Sequence, residues 1–355
     1  MFVERTHYYA KVGQAARVLE TRRRASRTRV ELGLRPGTIF VKSGAGEGPD
    51  VQWECPFGCL EEHERDRAVR DQSPAFAEVR AEMRSLIDRF ERHLLRRESG
   101  GDLPLEGVSL RPEAHRFDSK GETLHGYLYL PPKDGPFPAV VLNHGSGVTK
   151  GSTDVSKPSV ASVLLSWGIA CFFPHRWGYG ESPGRYWRED VTAEFGTEAY
   201  DCQLVRRLHR EADDVVEALA YVRALESVIE DRVAVMGSSF GGTVSLLAAA
   251  KSDGFRCAVD FAGAAMNWER TPRLRDLMKQ AARALECPVF LVQAANDYST
   301  RPTEELARVL AAEGKPHRAH VFPPFGVSHD EGHAFERAGS LVWGRDVRDF
   351  LDLYL

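Results

Sequence analysis

The sequence predicts a mostly parallel, doubly wound α/β sheet preceded by a small α+β domain. Three observations carry that prediction. From about residue 105 onward, short apolar and β-branched runs alternate with helix-patterned segments, as in a parallel sheet buried on both faces. Before it, residues 1–97 read as strand, helix, strand, strand, helix, which makes a small antiparallel sheet with helices packed on one face. Between them, Glu98-Ser99-Gly100-Gly101-Asp102-Leu103-Pro104 interrupts the helical pattern and reads as a linker over 98–104. A chain of 355 residues suits two domains, and a hydrophobic content of 43% supplies their cores.

Composition narrows the partners. A net charge of -4 gives no general attraction to nucleic acid or to a membrane surface. The six cysteines are scattered apart from Cys55 and Cys59, so no disulfide framework is expected. The opening stretch MFVERTHYYAK has no apolar signal region, and no uninterrupted apolar run approaches ~20 residues. The expectation is a cytoplasmic chain with no membrane span.

In the first domain, Phe2 to Tyr9 reads as a strand and Gln14 to Leu32 as a helix stopped by Gly33. Thr38 to Lys42 and Val51 to Cys55 read as strands flanking a Gly-rich turn. A long helical stretch follows, with Pro74 at a helix start after Ser73. In it Phe76, Val79, Met83, Leu86, Ile87, Phe90 and Leu94 fall at helical spacing and give one apolar face. This order is that of a ferredoxin-like half, whose open sheet face needs a cover. Arg17, Arg22, Arg23, Arg24, Arg27 and Arg29 read as the solvated face of the first helix. Cys55, Cys59 and His63 lack a fourth partner for zinc. His7, Tyr8 and Tyr9 read as packing residues.

In the second domain, His115–Asp118 and Thr123–Leu130 read as a hairpin turning at Ser119-Lys120-Gly121. Strands then follow at Ala139–Asn143, Ile169–Pro174, Val233–Met236, Phe255–Phe261, Pro288–Ala294 and His317–Phe322. The helices between and after them are Pro158–Trp167, a long one ending near Leu225, Thr243–Ala250, Arg273–Leu285, Thr303–Glu313 and Val342–Leu355. Ligands of such sheets sit at the C-terminal strand ends. Residues 183–210 follow one such end and read as a small lid insertion, in which Tyr186, Trp187 and Phe195 are candidates for an apolar substrate pocket.

The chemistry concentrates at Gly237-Ser238-Ser239-Phe240-Gly241-Gly242, a G-x-S-x-G turn between a strand and a helix. A strand that turns at once into a helix strains its turn residue and brings both arms together; glycine at 237 and 241 leaves room for the approach. Ser239 then presents its hydroxyl at the sheet edge over a helix N-terminus. A serine needs a base to take its proton and an acid to orient that base. Later strand ends supply Asn296-Asp297 and His329-Asp330-Glu331-Gly332-His333, so Ser239, Asp297 and His333 form the candidate triad. His329 competes with His333 as base. Asp330 is too near His333 in sequence to orient it easily, and Asp297 also suits capping the next helix. Oxyanion donors would be the backbone N–H of Phe240 and, from the turn Asn143-His144-Gly145-Ser146-Gly147, that of Ser146. His144 and Arg176 read as supports beneath the loops; His175 and His209 read as incidental.

Residues 105–355 resemble the α/β-hydrolase superfamily, and within it the dienelactone-hydrolase-like branch. The resemblance rests on Asn143-His144-Gly145, Arg176-Trp177-Gly178-Tyr179-Gly180-Glu181-Ser182, the Ser239 turn, Asn296-Asp297 and Gly332-His333-Ala334-Phe335. It implies a carboxylic ester or lactone hydrolase that uses no metal or organic cofactor. Dienelactone hydrolases proper carry a cysteine nucleophile where this chain has Ser239, which favours a general ester over dienelactone itself. Residues 1–97 resemble the NIPSNAP-like branch of the dimeric α/β-barrel family, through element order and the run Asp50-Val51-Gln52-Trp53-Glu54-Cys55. That implies a homodimer formed through this domain. Two alternatives stay open: amide, peptide or C–C bond hydrolysis with the same triad, and a binding or scaffold protein acting through its first domain on a heme or polyketide-like ligand.

Overall fold

The computed structural model describes residues 2–44, 46–57, 59–96, 105, 107–152 and 157–355. The chain divides into two units, Met1–Gly100 and Gly101–Leu355, and the linker expected at 98–104 lies outside the described residues.

In the first unit the elements run β1 (Phe2–Ala10), α1 (Ala15–Glu31), β2 (Thr38–Val41), β3 (Val51–Phe57), α2 (Leu60–Gln72), α3 (Pro74–Leu86) and β4 (Ile87–Arg96). The four strands form one antiparallel sheet in the order β2-β3-β1-β4. Alternation decides which face the helices cover: Glu4, Thr6 and Tyr8 of β1 and Val51, Trp53, Cys55 and Phe57 of β3 are buried, with their neighbours more open. The helical side adds Val18 and Ala25 of α1 and Phe76, Val79, Met83 and Leu86 of α3.

The long helical stretch is corrected in two places. It breaks at Ser73, whose side chain accepts from the Phe76 N–H at 3.2 Å while Pro74 opens the new helix. It also ends at Leu86, so Ile87, Phe90 and Leu94 do not extend the helix. They lie on β4, which pairs with β1 in a register that sets Tyr8 opposite Phe90. A spacing of four fits a strand as well as a helix, and nine residues of β1 offered an edge to pair. The added strand completes a β-α-β-β-α-β ferredoxin-like topology with an extra helix before β4. The solvated-face reading of α1 is corrected as well, because Arg22 and Arg29 are buried. Cys55, Cys59 and His63 do not converge: Cys55 is buried beside Arg29, Cys59 is exposed, and His63 Nε2 meets Glu4 at 2.7 Å.

The second unit opens with the hairpin β5 (Glu113–Ser119) and β6 (Glu122–Tyr129). There follow β7 (Phe137–Asn143), α4 (Pro158–Ser166), β8 (Ala170–His175), α5 (Trp187–Asp190), α6 (Glu198–Arg223), β9 (Val228–Ser238) and α7 (Phe240–Ala249). The chain closes with β10 (Ala258–Phe261), α8 (Pro272–Ala284), β11 (Val289–Ala294), α9 (Arg301–Ala312), β12 (His317–Phe322), α10 (His329–His333), α11 (Phe335–Ala338) and α12 (Ser340–Tyr354). Eight strands order as β12-β11-β10-β9-β7-β8-β6-β5, parallel from β12 through β8, with β6 and β5 antiparallel at one edge. The central strands carry apolar side chains to both faces. One face packs Val141, Val233, Val235 and Leu291 under α6, α7 and α8, and the other packs Val140, Leu142, Met236 and Val292 under α4 and α12. Part of the segment expected as a lid at 183–210 is helical, since α6 already starts at Glu198, capped by the Thr197 hydroxyl.

Candidate active site

Ser239 stands where central strand β9 turns into α7. Its φ of 59° and ψ of -123° lie in a region that side chains other than glycine's avoid, at a cost of about 1–3 kcal/mol. Packing enforces the turn. A Cβ on Gly237 would come within 2.5 Å of the Gly241 backbone, and one on Gly241 within 2.3 Å of the Asn143 carbonyl oxygen. The second glycine therefore admits β7 as well as its own strand. The Ser239 N–H donates to the Phe261 carbonyl at 2.9 Å, tying the turn to β10.

The loop after β7 runs beside this serine, since a Cβ on Gly145 would lie 3.4 Å from Ser239 Cβ. Two sets of contacts orient it. His144 is fully buried, and burial, reinforced by Arg176, lowers its pKa well below the usual histidine value, so its ring is neutral. Its Nδ1 meets the Gly145 carbonyl oxygen at 2.8 Å, and its Nε2 accepts the Arg176 N–H at 3.4 Å. The proton is thus on Nδ1. In a trans peptide the carbonyl and the following N–H point opposite ways, so drawing the Gly145 oxygen toward His144 aims the Ser146 N–H away from that ring. The Ser146 carbonyl is held in turn by the Tyr186 hydroxyl and the Trp187 indole N–H, both at 3.1 Å. The Trp187 ring packs edge-on against Phe240 at 5.1 Å. Tyr186 and Trp187 thus grip both candidate oxyanion residues. Phe195 makes none of these contacts: its ring meets Tyr200 and the Arg270 guanidinium, and it is exposed.

Asp297 and His333 are brought together. His333 Nδ1 lies 2.9 Å from Asp297 Oδ1. The same carboxylate, nearly fully buried, accepts the Tyr298 N–H at 2.6 Å and the Gln293 amide at 2.9 Å. Asp297 does not cap α9, whose N-cap is Thr300. His329 instead meets the Asn296 carbonyl at 2.9 Å on the surface, and Asp330 accepts from the Tyr298 hydroxyl. The choice between the two histidines is made by α10. A Ser328–Glu331 capping box starts this short helix, and Asn296 clamps it by donating to the carbonyls of Phe325 and Ser328 at 2.9 and 2.8 Å. Gly332 lets the helix close on Asn296, whose side-chain oxygen would be 2.7 Å from a Cβ there. His333 Nε2 is buried and has no hydrogen-bond partner among the described residues. The contact between His333 and Asp297 is therefore made, and none is made from Nε2 to the Ser239 hydroxyl.

Other groups here left little trace in the sequence. Lys157 Nζ ties three site segments together, at 2.7 and 2.9 Å from Glu336, 3.2 Å from Ser238 Oγ and 3.5 Å from the Asn143 carbonyl. Glu211 accepts from Arg176 and Arg207, each at 2.7 Å, and from the Tyr179 hydroxyl at 3.0 Å, while Arg176 also donates to the His144 carbonyl at 2.8 Å. Burial alone would raise the Glu211 pKa, but the two guanidinium groups outweigh it and hold it below the ordinary carboxylate value. The Arg207–Glu211 pair has helical i,i+4 spacing, the one signal of this network visible in sequence. Elsewhere, His7, Glu91 and His93 in the first unit form the described group with metal-ligand spacing; His7 and Glu91 are half-buried and His93 is exposed.

The dienelactone hydrolase family model matches residues 124–348. The chain belongs to this family. Its matches with curated relatives are partial. It is 31% identical over 137 residues to an acyltransferase, drtE, of Aspergillus calidoustus, covering 39% of this chain and 38% of that one. It is 30% identical over 156 residues to the quorum-quenching protein AidA of Acinetobacter baumannii, covering 44% of each. The chain thus spans less than half the length of these relatives. Among solved structures, an acylaminoacyl peptidase of Pyrococcus horikoshii superposes with a TM-score of 0.55 at 18% identity, covering 76% of this chain and 46% of that one, a likeness of fold. The match places this chain in the family from β6 onward, and no helix among the described residues is long and apolar enough to cross a membrane.

Proposed function

We propose that this family member is a serine hydrolase that cleaves a carboxylic ester or lactone through an acyl-enzyme. The observation that carries the reading is the His333–Asp297 contact at 2.9 Å, on the same sheet edge as a serine held at positive φ. Ser239 Oγ attacks the carbonyl carbon while His333 Nε2 takes its proton. Asp297 keeps the other imidazole proton on Nδ1 and stabilises the imidazolium. The N–H groups of Phe240 and Ser146 receive the oxyanion, each worth about 3 kcal/mol in the transition state. His333 returns its proton to the departing alcohol, then deprotonates the water that releases the acid. Nε2 has no partner in the resting geometry, as suits a base whose hydrogen bond tightens only with substrate bound.

Tyr186 and Trp187 fit a wall of the acyl pocket, since the oxyanion loop and Phe240 rest on them. Phe195 is left out of this site. The family match favours esters and lactones; amides would use the same groups, and an acyl acceptor other than water would share the acyl-enzyme. Pairing of two copies through residues 1–97 also belongs to this proposal, supported by the sheet face that no helix among the described residues of this domain covers. Light scattering of the purified chain tests it, a dimeric mass being expected and a monomeric one contradicting it.

Matched activated esters, lactones and anilides, assayed on the full chain and on Ser239→Ala, test the chemistry. Turnover of the oxygen esters should dominate and should fall by ~10⁴-fold or more in a folded variant. Faster anilide turnover would move the assignment to amides, and ester turnover retained in Ser239→Ala would remove it.

A further inference from the structure

The first domain contains a cavity of about 380 Å³ between its sheet and its helices. Its polar lining is one-sided: Arg22, Arg29, Arg70, Arg80, Arg84 and Arg92 face it against one carboxylate, Glu4. Internal ion pairing accounts for most of these charges. Arg29 is closed on Asp66 at 2.5 Å, Arg70 on Glu4 and Asp66 at 2.9 and 2.7 Å, Arg92 on Glu4 at 3.3 Å, and Arg80 on Asp71 at 2.6 Å.

Two are left without an ion pair among the described residues, Arg84, which is exposed, and Arg22, which is buried. Arg22 is only 5% exposed, yet among the described residues it has no ion-pair partner, and its Nε has no hydrogen-bond partner at all. Its other contacts are neutral: the Tyr8 hydroxyl at 3.1 Å, the Ser26 hydroxyl at 3.5 Å, and the face of Trp53, 4.7 Å from the guanidinium carbon. A buried lysine could shed its proton to escape this position, but a guanidinium cannot. Leaving it buried and unpaired costs more than a cation–π contact restores. The Tyr8 hydroxyl accepts from both Arg22 and Thr6, which leaves its own proton free to donate. The remaining wall is apolar, with Trp53, Phe76, Val79, Met83 and Phe90.

We propose that this cavity binds an amphipathic organic carboxylate, with its head on Arg22 and Tyr8 and its acyl or aryl body against Trp53, Phe76 and Phe90. At the ~30 Å³ that a water occupies in the liquid, the space takes about a dozen non-hydrogen atoms. That excludes macromolecules and is more than a bare inorganic anion fills. The site lies wholly within the first domain and does not depend on the hydrolase reading.

Calorimetric titration of the full chain with decanoate, and with decanol of the same chain length, tests this. Decanoate should bind at least about tenfold more tightly than decanol, as a charge-assisted contact to a buried guanidinium demands. Arg22→Gln should remove that preference and leave decanol unchanged. Val79→Trp, which fills the cavity and keeps every charge, should abolish binding of both, with circular dichroism confirming that each variant is folded. Equal affinities for decanoate and decanol, or no saturable decanoate binding, would overturn the proposal. So would an undiminished preference for decanoate in folded Arg22→Gln, or decanoate binding that survives in folded Val79→Trp.

Discussion

In the second domain, buried Arg176 and Arg207 share the carboxylate of Glu211, Arg207 also meets Asp190 at 2.8 Å, and Lys157 is closed on Glu336. In the first domain, Glu4 and Asp66 serve Arg29, Arg70 and Arg92, while Arg22, buried like Arg29 and Arg70, is left over. The second domain also leaves a buried group without a partner among the described residues, but it is a ring nitrogen, His333 Nε2. The two remainders differ in kind. An unoccupied imidazole nitrogen can take a proton and suits a reaction, whereas an unoccupied guanidinium can only hold an anion and suits a binding site.

The largest effect expected from breaking this contrast lies at His333. His333→Gln should lower kcat/KM for an activated ester by ~10⁴-fold, while His329→Gln, on the surface, should stay within about threefold. Comparable losses in the two variants would erase the distinction drawn by the Asp297 contact.

Next comes the closure of charge in the second domain. Glu211→Gln leaves Arg176 and Arg207 buried without their shared anion and should cost about 3–5 kcal/mol, read as a fall in the second domain's unfolding midpoint in denaturant. An unchanged midpoint would mean that those cations are not held as a closed set.

A smaller and pH-dependent effect belongs to Asp260, a buried carboxyl group with no cation beside it among the described residues. Burial pushes its pKa up to about 7, against an ordinary 3.8, and the Gly263 N–H bond only partly offsets this. The folded chain therefore holds this proton where the unfolded chain has lost it. Stability from this group is greatest below pH 3.8, falls as pH rises toward about 7, and is flat beyond. The loss is at most about 4 kcal/mol at ~1.4 kcal/mol per pH unit. Asp260→Asn should flatten this part of the pH–stability curve and raise stability at pH 8. A curve identical to that of the unsubstituted chain would show that Asp260 ionises freely in the folded protein.

How much of this was legible in the sequence depended on distance along the chain. The Ser239 turn could be read because its requirements are local: a strand, a helix, and glycines at fixed offsets that the close approaches at Gly237 and Gly241 explain. Asp297 and His333 could be named from their order, but excluding His329 required Asn296 and the α10 cap. Lys157 and Glu336 are 179 residues apart and Arg176 and Glu211 are 35 apart, so no pattern joined them. Strand β4 was hidden because Phe90 and Leu94 satisfy two periodicities at once, and its partner β1 lies at the other end of the domain. The burial of Arg22 is not legible because helical periodicity shows which residues share a face, not whether that face is covered.

The central claim, that Ser239 is the nucleophile, is tested most directly by a fluorophosphonate probe followed by peptide mass spectrometry. One adduct per chain on Ser239, slowed by substrate and absent in Ser239→Ala, is the predicted result. An unlabelled Ser239 in folded protein, or equal labelling of the Ser239→Ala chain, would contradict it.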